Sequence, residues 1–456
     1  MFPAVIWTTW VSIFGSEQPL PLPLLLFPLI ICPFLYGWLI QRGKPKPTTE
    51  TEAKENIVMA KSVEPSTTPR PIDLQEEATL RNCFPWNVYY LQNIDYRPQA
   101  IFCRGKLRTI PEEAYQEIKN NIERAFGDRF FLIFQESFAG KPFFALVPNP
   151  QAKISHSEVI EQDNRLGLAL GMLLMTLLTT TVAGANMIGI TPEEVMSEPH
   201  LLVKGLVYSL PLILILGVHE FAHYFAAIYY KIRTTLPYFI PFPFFLDTFY
   251  LGTLGAFTQR RSPIPHRQAL FDVAIIGPAA GFLVTLPVIL WGFSLSSTVS
   301  LETGQSFDFE HLNPRFSLLL SLLAKLSLGE QFRTGMAIDL HPVAIAGCVG
   351  LLLTAINLMP MGQLDGGHIV HAVFGQKTAI AVGQITRILA LLFALVHPYF
   401  WIWTIILWLI PLIDQPALND VTELNNWRDL AGLLALALLI LIVLPLPTTI
   451  GGWLNI

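Results

Sequence analysis

The run Leu216-Gly217-Val218-His219-Glu220-Phe221-Ala222-His223-Tyr224 sets three ionisable side chains inside a stretch, residues 206–230, that otherwise carries no charge. A stretch of that length crosses a bilayer as a helix, and hydrocarbon accepts only backbones that satisfy their own polar groups. A charge at that depth costs roughly 2.5–3.5 kcal/mol on insertion scales, so a fold that keeps Glu220 there must enclose it and use it. Residues four apart on a helix share a face, and His219 and His223 can offer two imidazole nitrogens to one metal ion. Glu220 lies about 100° round from His219, in reach of a water on that metal as general base. The plainer alternative is a chance match on a buried helix whose polar side chains pair with other residues.

Composition agrees with a membrane body. Of 456 residues, 52% are hydrophobic and 14% charged, which excludes an ordinary large soluble enzyme. More than half of the Asp, Glu, Lys and Arg residues fall between Arg42 and Arg165, separating a soluble segment from the rest. Acidic and basic residues balance in that segment, so no nucleic-acid footprint is present. Cys32, Cys83, Cys103 and Cys348 show no paired or ligand spacing and read as reduced structural thiols.

In chain order, residues 1–41 read as an N-terminal anchor around the charge-free run 20–40, followed at once by Arg42, Lys44 and Lys46. Positive charge after the run, not before it, argues for an anchor whose C-terminal end is cytoplasmic rather than for a signal peptide. No Ser- and Arg-rich transit peptide is seen, which favours a bacterial chain. Residues 42–79 are a Pro-, Thr-, Lys- and Glu-rich linker. Residues 80–150 predict a small cytoplasmic α/β domain, with strands at 87–92, 100–107, 130–135 and 142–147 and a helix from Pro111 to about Phe126. It shows no catalytic cluster, and a structural or partner-docking role is expected.

Residues 151–456 form the membrane body. Spans are expected at 166–190, 201–230, 269–293, 342–360, 378–396, 399–413 and 430–446, so the fold class is an α-helical polytopic membrane protein of about seven spans. Residues 236–257 hold Pro237, Pro241 and Pro243 and are bounded on both sides by basic residues, which predicts a re-entrant hairpin rather than a crossing. Gly277-Pro278-Ala279-Ala280-Gly281 reads as a close helix-packing surface. Residues 316–328 predict a helix lying at the outer surface.

A catalytic zinc takes three protein ligands and an open position. The best third candidate is Asp365, in Asn357-Leu358-Met359-Pro360-Met361-Gly362-Gln363-Leu364-Asp365-Gly366-Gly367-His368, an acid interrupting the end of an apolar span on the same side as the histidines. Pro360 and Gly362 can unwind the helix, and Gly366 and Gly367 permit unusual backbone angles. Asn357 could steady an oxyanion or simply make a packing hydrogen bond. His368 and His371 are read as interfacial and left out of the metal site.

His219-Glu220-x-x-His223, Gly252-Thr253-Leu254-Gly255-Ala256, Gly277-Pro278 and Asn357-x-x-Pro360 with Leu364-Asp365-Gly366-Gly367 occur in the order seen in site-2 proteases, the intramembrane zinc metalloproteases of peptidase class M50, and the chain resembles that family over residues 80–430. The resemblance implies that His219, His223 and Asp365 ligate Zn²⁺, that Glu220 is the base, and that Gly252, Thr253, Leu254 and Gly255 lie against an extended substrate. The soluble segment, with Ile101-Phe102-Cys103-Arg104-Gly105-Lys106-Leu107-Arg108, resembles the ethylene-dependent gravitropism-deficient and yellow-green proteins of plastids and their cyanobacterial relatives. Their usual Gly-Asn-Leu-Arg reads Gly105-Lys106-Leu107-Arg108 here. Nothing resembles a PDZ domain.

The expected function is therefore hydrolysis of peptide bonds in the transmembrane segments of membrane proteins by a zinc-activated water, in a plasma or thylakoid membrane. Expected partners are the substrate helix, the bilayer and a protein at the soluble domain. Two alternatives stand beside it. A di-iron oxygenase or desaturase needs about eight histidines in several boxes; the ten present are mostly scattered singly. A catalytically silent scaffold gains nothing from an ionisable Glu at membrane depth.

Overall fold

The computed structural model describes residues 72–97, 99–137, 140–149, 166–242, 251–300, 311–312, 314–396 and 401–456. The expected anchor at residues 20–40 and the linker up to residue 71 lie outside the described residues, as do residues 243–250 of the expected hairpin. The chain divides into two compact units, Arg70–Thr386 with Pro411–Ile456, and Met1–Pro69 with Arg387–Ile410.

The N-terminal part comprises α1 (Leu74–Asn82), β1 (Tyr89–Arg97), β2 (Ala100–Leu107), α2 (Pro111–Phe126), β3 (Phe130–Glu136) and β4 (Pro142–Pro148). The strands form one antiparallel sheet in the order β1-β2-β4-β3. Proline at its first turn and Glu112 and Glu113 beside the positive dipole end start α2, which buries Ala114, Tyr115, Ile118 and Ile122 on one face. Alternating residues of the strands, among them Ile101, Cys103, Leu132, Phe134, Phe144 and Leu146, fill the same core. α1, started by the Asp73–Glu76 capping box, occupies the end of the expected linker, and the first strand begins at Tyr89 and runs on to Arg97. Its bulge between Leu91 and Asn93 resets the alternation that ended the sequence reading at residue 92.

β3 is an edge of that sheet, and the membrane body supplies its next neighbour. Phe134 donates its backbone N–H to the carbonyl of Leu418 (2.6 Å) and accepts from Asp420 N–H (2.9 Å), while Leu418 and Asn419 donate to the carbonyls of Ile264 and Pro265. Residues 418–420 thereby bond on both sides, to the soluble sheet and to the segment that opens α6 below.

The membrane body follows with α3 (Leu166–Met187), α4 (Pro192–Ser197), α5 (Leu206–Tyr229), β5 (Tyr238–Pro241), β6 (Thr253–Phe257) and α6 (Arg267–Ser294). A three-stranded sheet of β7 (Ser297–Ser300), β8 (His311–Leu312) and β9 (Met336–Asp339) flanks α7 (Leu318–Leu328). Then come α8 (Pro342–Leu358), α9 (Asp365–Phe374), α10 (Gln376–Val396), α11 (Trp401–Leu409), α12 (Asn426–Val443) and α13 (Thr448–Leu454). The chain is mostly helical, and among the described residues five helical stretches are long and apolar enough to cross a membrane: Leu166–Met187, Pro199–Tyr229, Arg267–Ser294, Gln376–Leu395 and Asn426–Val443. It is an integral membrane protein. α8 is shorter, at 17 residues, and is the most enclosed of the set. The expected span at 399–413 holds only the nine-residue α11, about 14 Å of helix against a hydrocarbon core of about 30 Å.

α6 packs against both α5 and α8, and these three helices form the centre. Small residues permit the approach: a Cβ on Gly292 would run into the backbone of Ala344, and one on Gly347 into Ile289. The helix expected at the outer surface, α7, buries Leu320, Leu323, Ala324 and Leu328 in the same cluster as residues of α5, α6 and α8.

Candidate metal centre

α5 carries His219 and Glu220 to a buried position, each 6% exposed. Its last turn ends at Lys231, whose φ of 56° breaks the helix and sends the chain towards β5. α8 stops at Met359, where ψ of 128° leaves the helical region. Residues 359–364 then run as an irregular link with Gly362 at φ 54°, and α9 starts at Asp365. The carboxylate therefore sits in the first turn of α9, beside its positive dipole end. Gly366 and Gly367 do not use the unusual angles expected of them. They are helical, and their need is room: a Cβ on Gly366 would meet the carbonyl of Leu358, and one on Gly367 the backbone of Met361 and Gly362. Gly362 is the residue that takes the left-handed conformation.

These two backbones bring three side chains together across 142 residues of sequence. His223 Nε2 lies 3.2 Å from His219 Nε2 and 3.2 Å from Asp365 Oδ2, and His219 Nε2 lies 3.5 Å from Asp365 Oδ2. An ion held tetrahedrally at about 2.0–2.1 Å separates its ligand atoms by about 3.3 Å, so the donor set fits zinc in both chemistry and spacing. His223 Nδ1 donates to the carbonyl of Val273 at 2.7 Å, and a carbonyl can only accept, so Nε2 is the bare nitrogen facing the other two. Gly277 gives that ring its place, since a Cβ there would overlap the imidazole, and Gly281 lies against His219 in the same way one turn on. The glycine motif, read from sequence as helix packing, also houses the histidine rings. Among the described residues no other three His, Cys, Asp or Glu bring their donor atoms within 4.8 Å of one another.

Glu220 Oε2 accepts from Thr258 Oγ1 at 2.7 Å. Asn357 Nδ2 lies 3.1 Å from His219 Nε2, a hydrogen bond between α8 and α5 made inside the cavity. All of these side chains line one cavity of about 200 Å³, together with Phe257, Arg260, Gln363 and His368.

β6 runs along this cavity as half of a two-stranded antiparallel ribbon with β5. Thr253 is buried and donates to the carbonyl of Ile240 at 2.9 Å, while Leu254 is 54% exposed. Gly252 has φ 75° and Gly255 φ 106°, angles that favour glycine. Polar side chains of α3 and α5 hold the backbone that enters the ribbon: Thr179 Oγ1 donates to Gly252 O at 2.6 Å and Tyr208 OH to Leu251 O at 3.0 Å.

His368 and His371 are enclosed by protein. They are 3% and 0% exposed. His368 Nδ1 bonds Asp414 Oδ2 at 2.6 Å, and His371 bonds Asp414 through Nδ1 and Asp420 through Nε2, both at 3.1 Å. Arg260 Nη2 donates to His368 Nε2 at 2.8 Å. Sequence reasoning missed this network. Its signal was Asp414 in Ile413-Asp414-Gln415-Pro416, an acid at the end of an apolar run, the same feature that marked Asp365. In the N-terminal sheet, burial pushes the Cys103 thiol up to about 12, an inert structural thiol.

Residues 207–396 match Peptidase family M50. Over 379 residues the chain is 29% identical to the probable zinc metalloprotease EGY1, chloroplastic, of Arabidopsis thaliana, covering 76% of this chain and 66% of that protein. It is 27% identical over 411 residues to the probable zinc metalloprotease EGY2, chloroplastic, of Oryza sativa subsp. indica, covering 89% and 70%. Likeness to the EGY3 protein of the same plant is 24% over 352 residues, 74% of this chain and 56% of that one. The chain thus spans about two thirds of the length of these relatives or less. No solved structure matches it. With these likenesses and a His-His-Asp donor set of zinc dimensions, residues 207–396 carry a Peptidase family M50 region similar to that of zinc metalloproteases.

Proposed function

We propose that the protein is an intramembrane endopeptidase that hydrolyses peptide bonds in the transmembrane segments of other membrane proteins. The observation that carries this reading is the meeting of His219, His223 and Asp365 within 3.5 Å of one another, with the Glu220 carboxylate buried on the adjacent turn. His219 Nε2, His223 Nε2 and Asp365 Oδ2 would hold Zn²⁺, which when bound supplies Lewis acidity and makes water nucleophilic near neutral pH.

The rest of the work belongs to the chain. Val273 and Gly277 keep His223 in one tautomer and one place. Glu220, anchored through Oε2, leaves Oε1 to accept the proton of the attacking water and return it to the leaving amine. The Asn357 amide donates to the carbonyl oxygen as charge develops on it. A helical substrate has its peptide carbonyls already hydrogen-bonded. Residues 252–255 on β6 offer an open edge on which an unwound segment pairs in extended form.

Residues 151–456 constitute the protease region, and residues 80–150 form a soluble domain that docks on it through Phe134 and offers a surface to a protein partner. Lys231, Arg233, Arg260, Arg261 and Arg267 bracket the hairpin with positive charge, which supports a cytoplasmic location for this end of the site and for the soluble domain. A bacterial plasma or thylakoid membrane suits that arrangement. The deciding experiment is comparative membrane proteomics of wild type against Glu220→Gln. Fragments present in the first and absent from the second are expected; identical fragment sets would end the reading.

A further inference from the structure

Two side chains enter the cavity from the stretch that continues β6. Thr258 and Arg260 both line the cavity. Thr258 reaches Glu220 and Arg260 reaches His368. The backbone between them is fixed at several points. Phe257 pairs with Tyr238 at the end of the ribbon, and Arg260 bridges Thr234. Thr235 N–H donates to Gln259 O at 3.0 Å, and Gln259 N–H donates to Thr235 Oγ1 at 3.1 Å. The Thr258 hydroxyl is therefore delivered by a rigid frame and not by a mobile loop.

Glu220 needs such a frame. Three rotatable bonds separate its carboxylate from α5, and a helix fixes only the first of its atoms. Thr258 is its one hydrogen-bond partner among the described residues. A hydroxyl donating to Oε2 selects one rotamer and leaves the second oxygen for the water. The frame that supplies this hydroxyl is the strand on which the substrate is proposed to pair, so scissile carbonyl and base would be registered against one piece of backbone.

We propose that Thr258 is a positioning residue for the reaction, holding the Glu220 carboxylate in its productive orientation. This rests on the protease reading above. The hydroxyl is the essential part: valine matches threonine in shape and lacks the donor, whereas serine keeps it.

The test uses the full chain reconstituted in lipid vesicles with an internally quenched peptide carrying one 20-residue apolar segment, comparing wild type, Glu220→Gln, Thr258→Val and Thr258→Ser. Thr258→Val is expected to lower kcat about 10- to 100-fold with KM within about twofold of wild type and an unchanged zinc content and melting temperature. Thr258→Ser is expected to recover kcat to within about threefold. If Glu220→Gln is inactive while Thr258→Val cleaves like wild type, or serine rescues no better than valine, or the loss falls on KM, the positioning role is overturned and the protease reading stands. If wild type and Glu220→Gln behave alike, whether both cleave or neither does, the protease reading itself fails and takes this proposal with it.

Discussion

No side chain can stand at position 277 while His223 keeps its place, because a Cβ on Gly277 would be built into the imidazole at Nε2. α6 thereby gives His223 both a pocket and, through the Val273 carbonyl, a hydrogen bond that fixes its tautomer. In a free helix alanine would be favoured over glycine by about 1 kcal/mol. Here Gly277→Ala should act the other way and lower zinc affinity by about 10- to 100-fold, the range seen when groups that orient a ligand are lost. Gly281→Ala meets His219 Nδ1 at a more tolerant 3.1 Å and should be milder. Zinc content of the two variants after dialysis against graded chelator gives the comparison, and equal retention would contradict it.

Removal of the ion should cost stability as well as activity. Asp365 and both histidines converge from α5 and α9, two helices that each pack against α6. A ligand present at a thousand times its dissociation constant stabilises by about 4 kcal/mol. Chelated protein should melt earlier, regain its melting temperature with added zinc, and show neither effect as Asp365→Ala. A chelated wild type that melts unchanged would show that the ion does not bridge the helices.

The His371 network, on α9 outside the membrane-spanning helices, predicts a pH dependence. Burial opposes charge on His371, but the hydrogen bonds to Asp414 and Asp420 outweigh it and hold its pKa up at about 9. Both ring nitrogens face carboxylates, so both must donate. Burial also opposes charge on Asp414, and His368 and His371 overcome it, holding that carboxyl well below the usual range. A raised histidine contributes fully below its unfolded pKa of about 6.5 and loses its contribution as pH climbs through the folded value. The amount is on the order of 3 kcal/mol. The melting temperature of the wild type should fall between about pH 6.5 and 9 by more than that of His371→Gln; parallel curves would remove His371 as the cause.

What could be read from the sequence and what could not follows from where partners lie. His219, Glu220 and His223 share one helix, so their spacing states their geometry. Asp365 betrayed itself as an acid where the hydropathy pattern calls for none. The soluble strands were legible because their alternation is unbroken, apart from β1 beyond its bulge. Thr258 carries no charge and sits in a link, so nothing in the pattern ties it to Glu220. His368 and His371 look like surface residues until Asp414 and Asp420, more than forty residues away, are folded over them. Gly277 announces closeness but not what comes close. α11 shows the limit of apolar length as a guide, since its run is broken short of a span.

The ribbon offers a test that separates backbone strain from crowding. Gly252 and Gly255 both have positive φ, at 75° and 106°, and an L side chain in the left-handed region costs roughly 1–2 kcal/mol. Around Gly255 a Cβ would find nothing within 4 Å, whereas at Gly252 it would lie 2.5 Å from the Cα of Thr180 and 2.7 Å from the carbonyl of Thr179. Those are backbone atoms of a membrane-spanning helix and cannot step aside. Gly252→Ala should therefore push the ribbon off α3, break the 2.6 Å bond from Thr179 to Gly252 O, and raise amide exchange across residues 253–257 by about tenfold or more, the factor that about 1.4 kcal/mol of lost local stability produces. Gly255→Ala should show the strain alone, with a smaller rise. Because β6 is the proposed pairing edge, the first variant should also raise KM for a membrane-spanning peptide more than the second. Similar exchange and similar KM in the two variants would mean that contact with α3 does not set the position of the strand.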